Sequence, residues 1–389
     1  MWSLPLLRHT DVPQRVTENF ILSGYRFPDY SLLQCLVSAF RPTNETGNFW
    51  THFLPIFLFT FHFVEMFEWE GAPTPGDPFF YPAWTYFIGV FYLLLASSMA
   101  HLLNSMSLII REICFFVDYG TISAYTVGSS LAYYYYIHPQ AGIPKIAVWA
   151  QNASGLQTES GEEPLSHVSS TSSSSSFSSS VSALLFRAFF ENLYIPCSCL
   201  IAIVCVITCC NTRQRWRKYR YAVRTLVFLL PFFISSTPVF YRLLSPSPYP
   251  VPSSSVSSSS YPSSTMAAFF FRHCFWLVVS AVFNISKIPE RLSPGKFDIW
   301  GHSHQWFHCC TFLSILDELH MIKVEIRALL LHPSLVLAPV VAPQLPGATA
   351  CSTYGVMMVL QGCIASVIAG FGWSAYQIYA PQQKLLKEQ

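Results

Sequence analysis

Long apolar runs separated by short polar or serine-rich segments dominate the chain. A helix crossing the bilayer core needs about 20 mainly apolar residues. Eight stretches approach or exceed that length, at 50–67, 79–103, 113–137, 189–210, 221–241, 266–286, 302–320 and 351–376. The first and seventh are the least apolar. In lipid every backbone polar group must be paired internally, so runs of this kind predict helices. The pattern therefore predicts an all-α membrane protein: a seven-helix bundle followed by an eighth, C-terminal transmembrane helix. It divides the chain into an N-terminal region (1–49), a membrane domain (50–376) and a short tail (377–389).

Between the runs, residues 154–182 and 245–265 are rich in serine and punctuated by proline, too poor in apolar side chains to build a core. They predict disordered surface loops. Composition supports the membrane assignment: the 389 residues are 52% hydrophobic and 11% charged, against roughly a quarter charged in soluble domains. A net charge of +2 gives no case for nucleic acid. The cysteines in or beside apolar runs read as small hydrophobes rather than a disulfide scaffold, with Cys209 and Cys210 as candidates for S-acylation beside the basic loop.

The positions of the basic residues orient the chain. Arg8, Arg15, Arg26, Arg41, Arg111, the Arg213–Arg220 cluster, Lys287, Arg291, Lys296, Lys384 and Lys387 put 15 cations on one side. Lys145, Arg187, Arg242, Lys323 and Arg327 put five on the other. The positive-inside rule then predicts that both termini are cytoplasmic and both serine-rich loops are external. Asn152, in Asn152-Ala153-Ser154, is a glycosylation candidate on the external side. The sequons at Asn44 and Asn284 fall on or near the inner face and read as coincidental.

Four polar residues stand out in the apolar stretches: His101, Asp118, His304 and His308. Ionisable groups within the membrane are costly and tend to mark function. The predicted topology puts all four near the cytoplasmic face; Asp118 is roughly 8 Å deep at the helical rise of 1.5 Å per residue. His304 and His308, four apart, share one helical face, and Ser97 lies one turn before His101. Each residue alone is compatible with an ordinary helix-helix hydrogen bond. Together, three imidazoles with a nearby carboxylate make a zinc site the favoured reading, since three histidines and an open fourth position suit Zn2+.

Three ordered motifs carry a resemblance to a known family. Thr43-Asn44-Glu45-Thr46-Gly47-Asn48-Phe49-Trp50-Thr51-His52 resembles the first signature of the progestin and adipoQ receptor family, and Ser97-Ser98-Met99-Ala100-His101 with Asp118-Tyr119 resembles the second. Pro289-Glu290-Arg291, Pro294–Asp298 and Gly301–His308 resemble the third. The short N-terminal region and the eighth stretch resemble the membrane progestin receptor branch. The resemblance implies that His101, His304 and His308 bind zinc and that Asp118 reaches it through water.

It further implies a plasma-membrane receptor for progesterone-like steroids that signals through heterotrimeric G proteins. The rival reading, also by resemblance, is a zinc-dependent ceramide amidohydrolase with Asp118 as base and Ser97 helping to stabilise the oxyanion. A purely structural zinc is a third. Tyr125, Phe232, Phe233 and Trp306 are candidates to line a ligand cavity, and no steroid contact is assigned. In the first signature, Asn44 or Thr46 is expected to cap the first helix, with Trp50 at the membrane interface.

Overall fold

The computed structural model describes residues 5–26, 29–137, 188–216, 219–244, 262–331 and 347–388. Asn152, most of both serine-rich stretches, Lys145, Arg187, Arg217 and Lys218 lie outside them. Among the described residues the regular elements of the membrane portion are helices, joined by turns such as 104–107 and 287–302. Helix α1 spans Leu32–Ser38, α2 Thr46–Val64, α3 Tyr81–Leu103, α4 Leu108–Tyr136 and α5 Tyr194–Gln214. Helices α6 (Arg220–Ser235) and α7 (Thr237–Leu244) form one bent unit with a 56° break. Then follow α8 (Pro262–Ser286), α9 (Ser303–Leu331) and α10 (Val356–Glu388).

Local chemistry sets many of the starts. Ser31 and Gln34 form a capping box on α1. Asp77 accepts the Phe79 N–H just ahead of α3, and Ser107 accepts the Ile110 N–H at the start of α4. Helix α2 has Glu45 at its N-cap with no side-chain capping bond. The expected caps are otherwise engaged: the Thr46 hydroxyl bonds the Arg41 carbonyl and Thr43, and the Asn44 side chain is buried. Trp50 Nε1 donates to the Ala39 carbonyl at 2.8 Å, tying α2 to α1. Buried Asn44 fits the reading of its sequon as coincidental.

Among the described residues, four helices are long and apolar enough to cross a membrane by themselves: Pro78–Leu103, Tyr194–Gln214, Thr265–Ser286 and Cys351–Pro381, with the bent α6–α7 pair as a fifth candidate. Helices α2, α4 and α9 are long enough, at 19, 29 and 29 residues, but carry the polar groups described below. All three overrun their predicted bounds, α2 by starting four residues early at Thr46. Helix α4 starts at Leu108, with Glu112 accepting a bidentate pair from Arg213 at 2.7 and 2.9 Å. Helix α9 continues to Leu331 through Asp317, Glu318, Lys323 and Glu325, each partnered in the bundle. A hydropathy reading stops at such charges; pairing inside the bundle lets the helix carry on. Arg242, Lys323 and Arg327, expected in external loops, accordingly lie on α7 and α9. Helix α8 begins at Pro262, inside the stretch predicted as loop.

Helix α4 is central and packs against α3, α5, α6, α9 and α10; α8 packs along α9, and α2 lies between α3 and α9. One core, with Phe59, Tyr86, Phe270 and Leu319, joins α2, α3, α8 and α9. A second, with Phe116, Val206 and Ile364, joins α4, α5 and α10. The α3–α4 approach depends on glycine: a Cβ on Gly128 would lie 2.9 Å from the Thr85 carbonyl oxygen. All cysteines are free, and Cys209 and Cys210 are fully buried, closed to the acylation considered for them.

Candidate metal centre and cavity

The last turn of α3 and the first two turns of α9 bring His101, His304 and His308 together. One ring nitrogen from each lies within 4.8 Å of the others, close enough to hold a single ion. His101 Nε2 and His304 Nε2 are 3.3 Å apart. With Zn–N bonds of about 2.0–2.1 Å, two ligands on a tetrahedral ion stand about 3.3–3.4 Å apart, so this edge fits zinc. In two of the three histidines the ring nitrogen facing away from the cluster is occupied. His101 Nδ1–H donates to Glu45 Oε2 at 2.7 Å, and His308 Nδ1–H to the Asn48 carbonyl at 3.2 Å, with Thr51 Oγ1 at 3.1 Å. Partners of this kind fix tautomer and ring orientation, leaving Nε2 free for a metal.

Glu45, Asn48, Thr51 and His52 all come from the N-terminal half of α2 and were not assigned metal-site roles from the sequence. Glu45 also accepts from Asn48 Nδ2 at 2.8 Å and Asn104 Nδ2 at 2.7 Å. Burial pushes its carboxyl upward, but the facing His101 imidazole, with Arg111 and Arg26, more than reverses this and holds it well below the usual carboxylate range. His52 stacks on His308 with ring centroids 3.8 Å apart. The spacing 45, 48, 52 is one face of a helix, which is the signal that could have found these residues. The N-terminal region braces the site from below: Arg26 is buried and donates to the His101 and Leu102 carbonyls at 2.7 and 2.6 Å, closing the C-terminal end of α3.

Asp118 lies on α4 and opens onto the same cavity as the three histidines. It is buried, and its Oδ1 has no hydrogen-bond partner among the described residues. Ser97 lies beside it. The three histidines converge; Asp118 and Ser97 line the same cavity beside them, with the Asp118 carboxylate under the influence of the His101 ring. Donor set, spacing and outer partners together fit zinc.

The cavity holds about 320 Å³, within the size range of small-molecule sites. Leu93, Ile122, Phe228, Leu277 and Phe307 supply apolar wall. Tyr125 and Phe232 line it as anticipated, whereas Phe233 and Trp306 are exposed at its outside. The end away from the histidines is closed by Glu318, whose carboxylate accepts hydroxyls from Tyr86 at 3.2 Å, Tyr133 at 2.7 Å and Tyr125. This acidic cluster, like His52, was not singled out in the sequence.

The family description "Haemolysin-III related" matches residues 40–317, which contain Glu45, Asn48, His52 and the five predicted site residues. The chain belongs to this family. Proteins similar to it include membrane progestin receptor delta of Mus musculus, 30% identical over 324 residues that cover 82% of this chain and 78% of that protein. Membrane progestin receptor gamma of Homo sapiens is 30% identical over 327 residues, covering 83% and 82% respectively. Membrane progestin receptor alpha of Cynoscion nebulosus is 26% identical over 320 residues, 81% of this chain and 75% of its own. The signature resemblance to the progestin and adipoQ receptor family is borne out, and the chain is a multi-pass membrane protein of that family. The family match ends before α10, the predicted eighth span.

Proposed function

We propose that this protein is a plasma-membrane receptor for a progesterone-like steroid, with zinc held by His101, His304 and His308 and reached through water by Asp118. The observation that carries the reading is the 320 Å³ cavity: apolar along its walls, polar at both ends, in a chain whose relatives are named membrane progestin receptors. Such a space favours a rigid lipophilic body with a polar group at either end. The zinc would supply positive charge to orient a ligand oxygen. Glu45 and Asn48 hold the imidazoles in place, and Asp118 positions water at the centre. Both termini are read as cytoplasmic from the distribution of basic residues, with signalling to a heterotrimeric G protein from that side.

One observation favours a second reading, a zinc-dependent amidohydrolase acting on a ceramide-like lipid. On this reading the Asp118 oxygen without a partner among the described residues would take a proton from water, and the Ser97 hydroxyl, which bonds Asp118 in the resting chain, would turn to a developing oxyanion. Equilibrium binding of radiolabelled progesterone to the purified chain separates the two, with ceramide turnover measured alongside. The receptor reading predicts saturable binding and no turnover. Turnover abolished by Asp118→Asn, with no saturable steroid binding, would replace it with the enzyme.

A further inference from the structure

Where the cavity meets the cytoplasmic end of the bundle, its wall is strongly cationic. A small adjoining pocket is lined by Arg15, Arg111, Arg213, Arg220 and Arg224 with Glu18 and Glu112 as its carboxylates. It shares Glu18, Arg213, Arg220 and Arg224 with the main cavity, which adds Lys287. Six cations thus face Glu18 and Glu112, with Asp118, Glu45 and Glu290 as the further carboxylates of the main cavity's wall near them. Glu112 is taken up by Arg213, and Glu18 is divided between Arg220 at 3.3 Å and Arg111 at 3.6 Å. The nearby Glu290 accepts Ser303 N–H and Oγ–H, and Glu45 is committed to His101.

Three cations are incompletely compensated: Arg111 shares Glu18 with Arg220, and the carboxylates nearest Arg224 and Lys287 stand out of contact with them. Arg111 is 3% exposed, and its Nε has no hydrogen-bond partner among the described residues. Arg224 donates Nε–H to Thr212 at 2.7 Å and lies over the Tyr119 ring, with no carboxylate in contact among the described residues. Lys287, 7% exposed, sits 3.6 Å above the Tyr221 ring, also without a contacting carboxylate among them. Burial draws the Lys287 ammonium down to about 8 despite the pull of Glu18 and Glu290. Burying cations without full compensation is costly, and planar guanidinium forks suit a tetrahedral oxyanion.

We propose that Arg224 and Lys287, which both line the main cavity, form an oxyanion site at its cationic end, taking the phosphate or sulfate head of an amphiphile whose apolar body enters the cavity. The placement of the body rests on the cavity being a ligand site; the anion site does not. A lipophilic ligand with an anionic head would thus bind by its charge at the cationic end and by its body within.

The test is thermal unfolding of the purified full-length chain in a neutral detergent, titrated with dodecyl phosphate, dodecanol or inorganic phosphate. Saturable stabilisation by dodecyl phosphate, weaker with inorganic phosphate and missing with dodecanol, is the expected result. Equal stabilisation by inorganic phosphate would keep the anion site and overturn the place given to the body; equal stabilisation by dodecanol would overturn the anion site. Arg224→Gln and Lys287→Gln should each weaken dodecyl phosphate by roughly tenfold or more, the loss of one charge-assisted contact. Each should also raise the unfolding temperature of the ligand-free protein by relieving incompletely compensated charge. Variants that unfold earlier yet bind dodecyl phosphate unchanged would contradict the site. Should a variant fail to fold, the wild-type response to salt decides: apparent affinity for dodecyl phosphate must fall as sodium chloride rises, and an unchanged affinity overturns the proposal. Progesterone binding measured in parallel separates failure of this site from failure of the cavity reading.

Discussion

Two of the three imidazoles are oriented by residues outside the cluster. Glu45 and the Asn48 carbonyl fix the Nδ1 atoms of His101 and His308, turning both Nε2 atoms toward the cluster. Outer partners of this kind are worth about 10–100-fold in metal affinity. Glu45→Gln, which keeps an acceptor but loses the charge, should weaken zinc by about tenfold, and Glu45→Ala by up to about 100-fold. Competition with a chromogenic chelator measures both, and unchanged affinity in Glu45→Ala would remove Glu45 from the account. At this scale His101, Asp118, His304, His308 and Ser97 were legible in the sequence because a polar residue in an apolar run is conspicuous. Glu45 and Asn48 were not, since they precede the apolar run that would make a polar residue conspicuous, and His52, inside it, has no second histidine at helical spacing. Glu318 also escaped notice, because its three tyrosine donors come from two other helices and have no common period with it.

At the scale of elements, the apolar runs located the helices, but charge misled the boundaries. Helix α4 begins five residues before its apolar run, and α9 continues past its run, because Glu112, Glu318, Lys323 and Glu325 find partners inside the bundle. Hydropathy records the cost of a charge and is blind to its partner. The site also depends on how closely α3 and α4 approach, since these helices carry His101, Ser97 and Asp118. Gly128→Ala puts a methyl group 2.9 Å from the Thr85 carbonyl oxygen and 3.1 Å from Tyr86 Cα, so the helices must separate. A loss of about 1–3 kcal/mol is expected from overpacking. Gly362→Ala on α10 meets nothing within 4 Å and should be neutral or slightly stabilising. Thermal unfolding of the two variants side by side checks this, and equal melting temperatures would contradict the packing described.

For the whole molecule, the cavity unites these features. The imidazole centre and the cationic residues stand toward one end and the Glu318–tyrosine cluster toward the other, with α2, α3, α4, α6, α8 and α9 forming the wall between. Outside this wall, Leu54, Phe57, Phe61, Phe271, Phe275 and Val278 are exposed, the surface expected of a bundle solvated by lipid. Helix α10 is among the most exposed of the apolar helices and packs on α4 and α5 outside the family match, so the centre is built without it. The central claim is that three histidines from two helices hold one zinc ion at the cavity. Elemental analysis of the purified chain tests it most directly: the wild type should carry about one zinc per chain, and the folded His304→Ala/His308→Ala double variant essentially none. A folded wild type without zinc after expression in zinc-replete medium, or a double variant that keeps its full complement, would contradict the account.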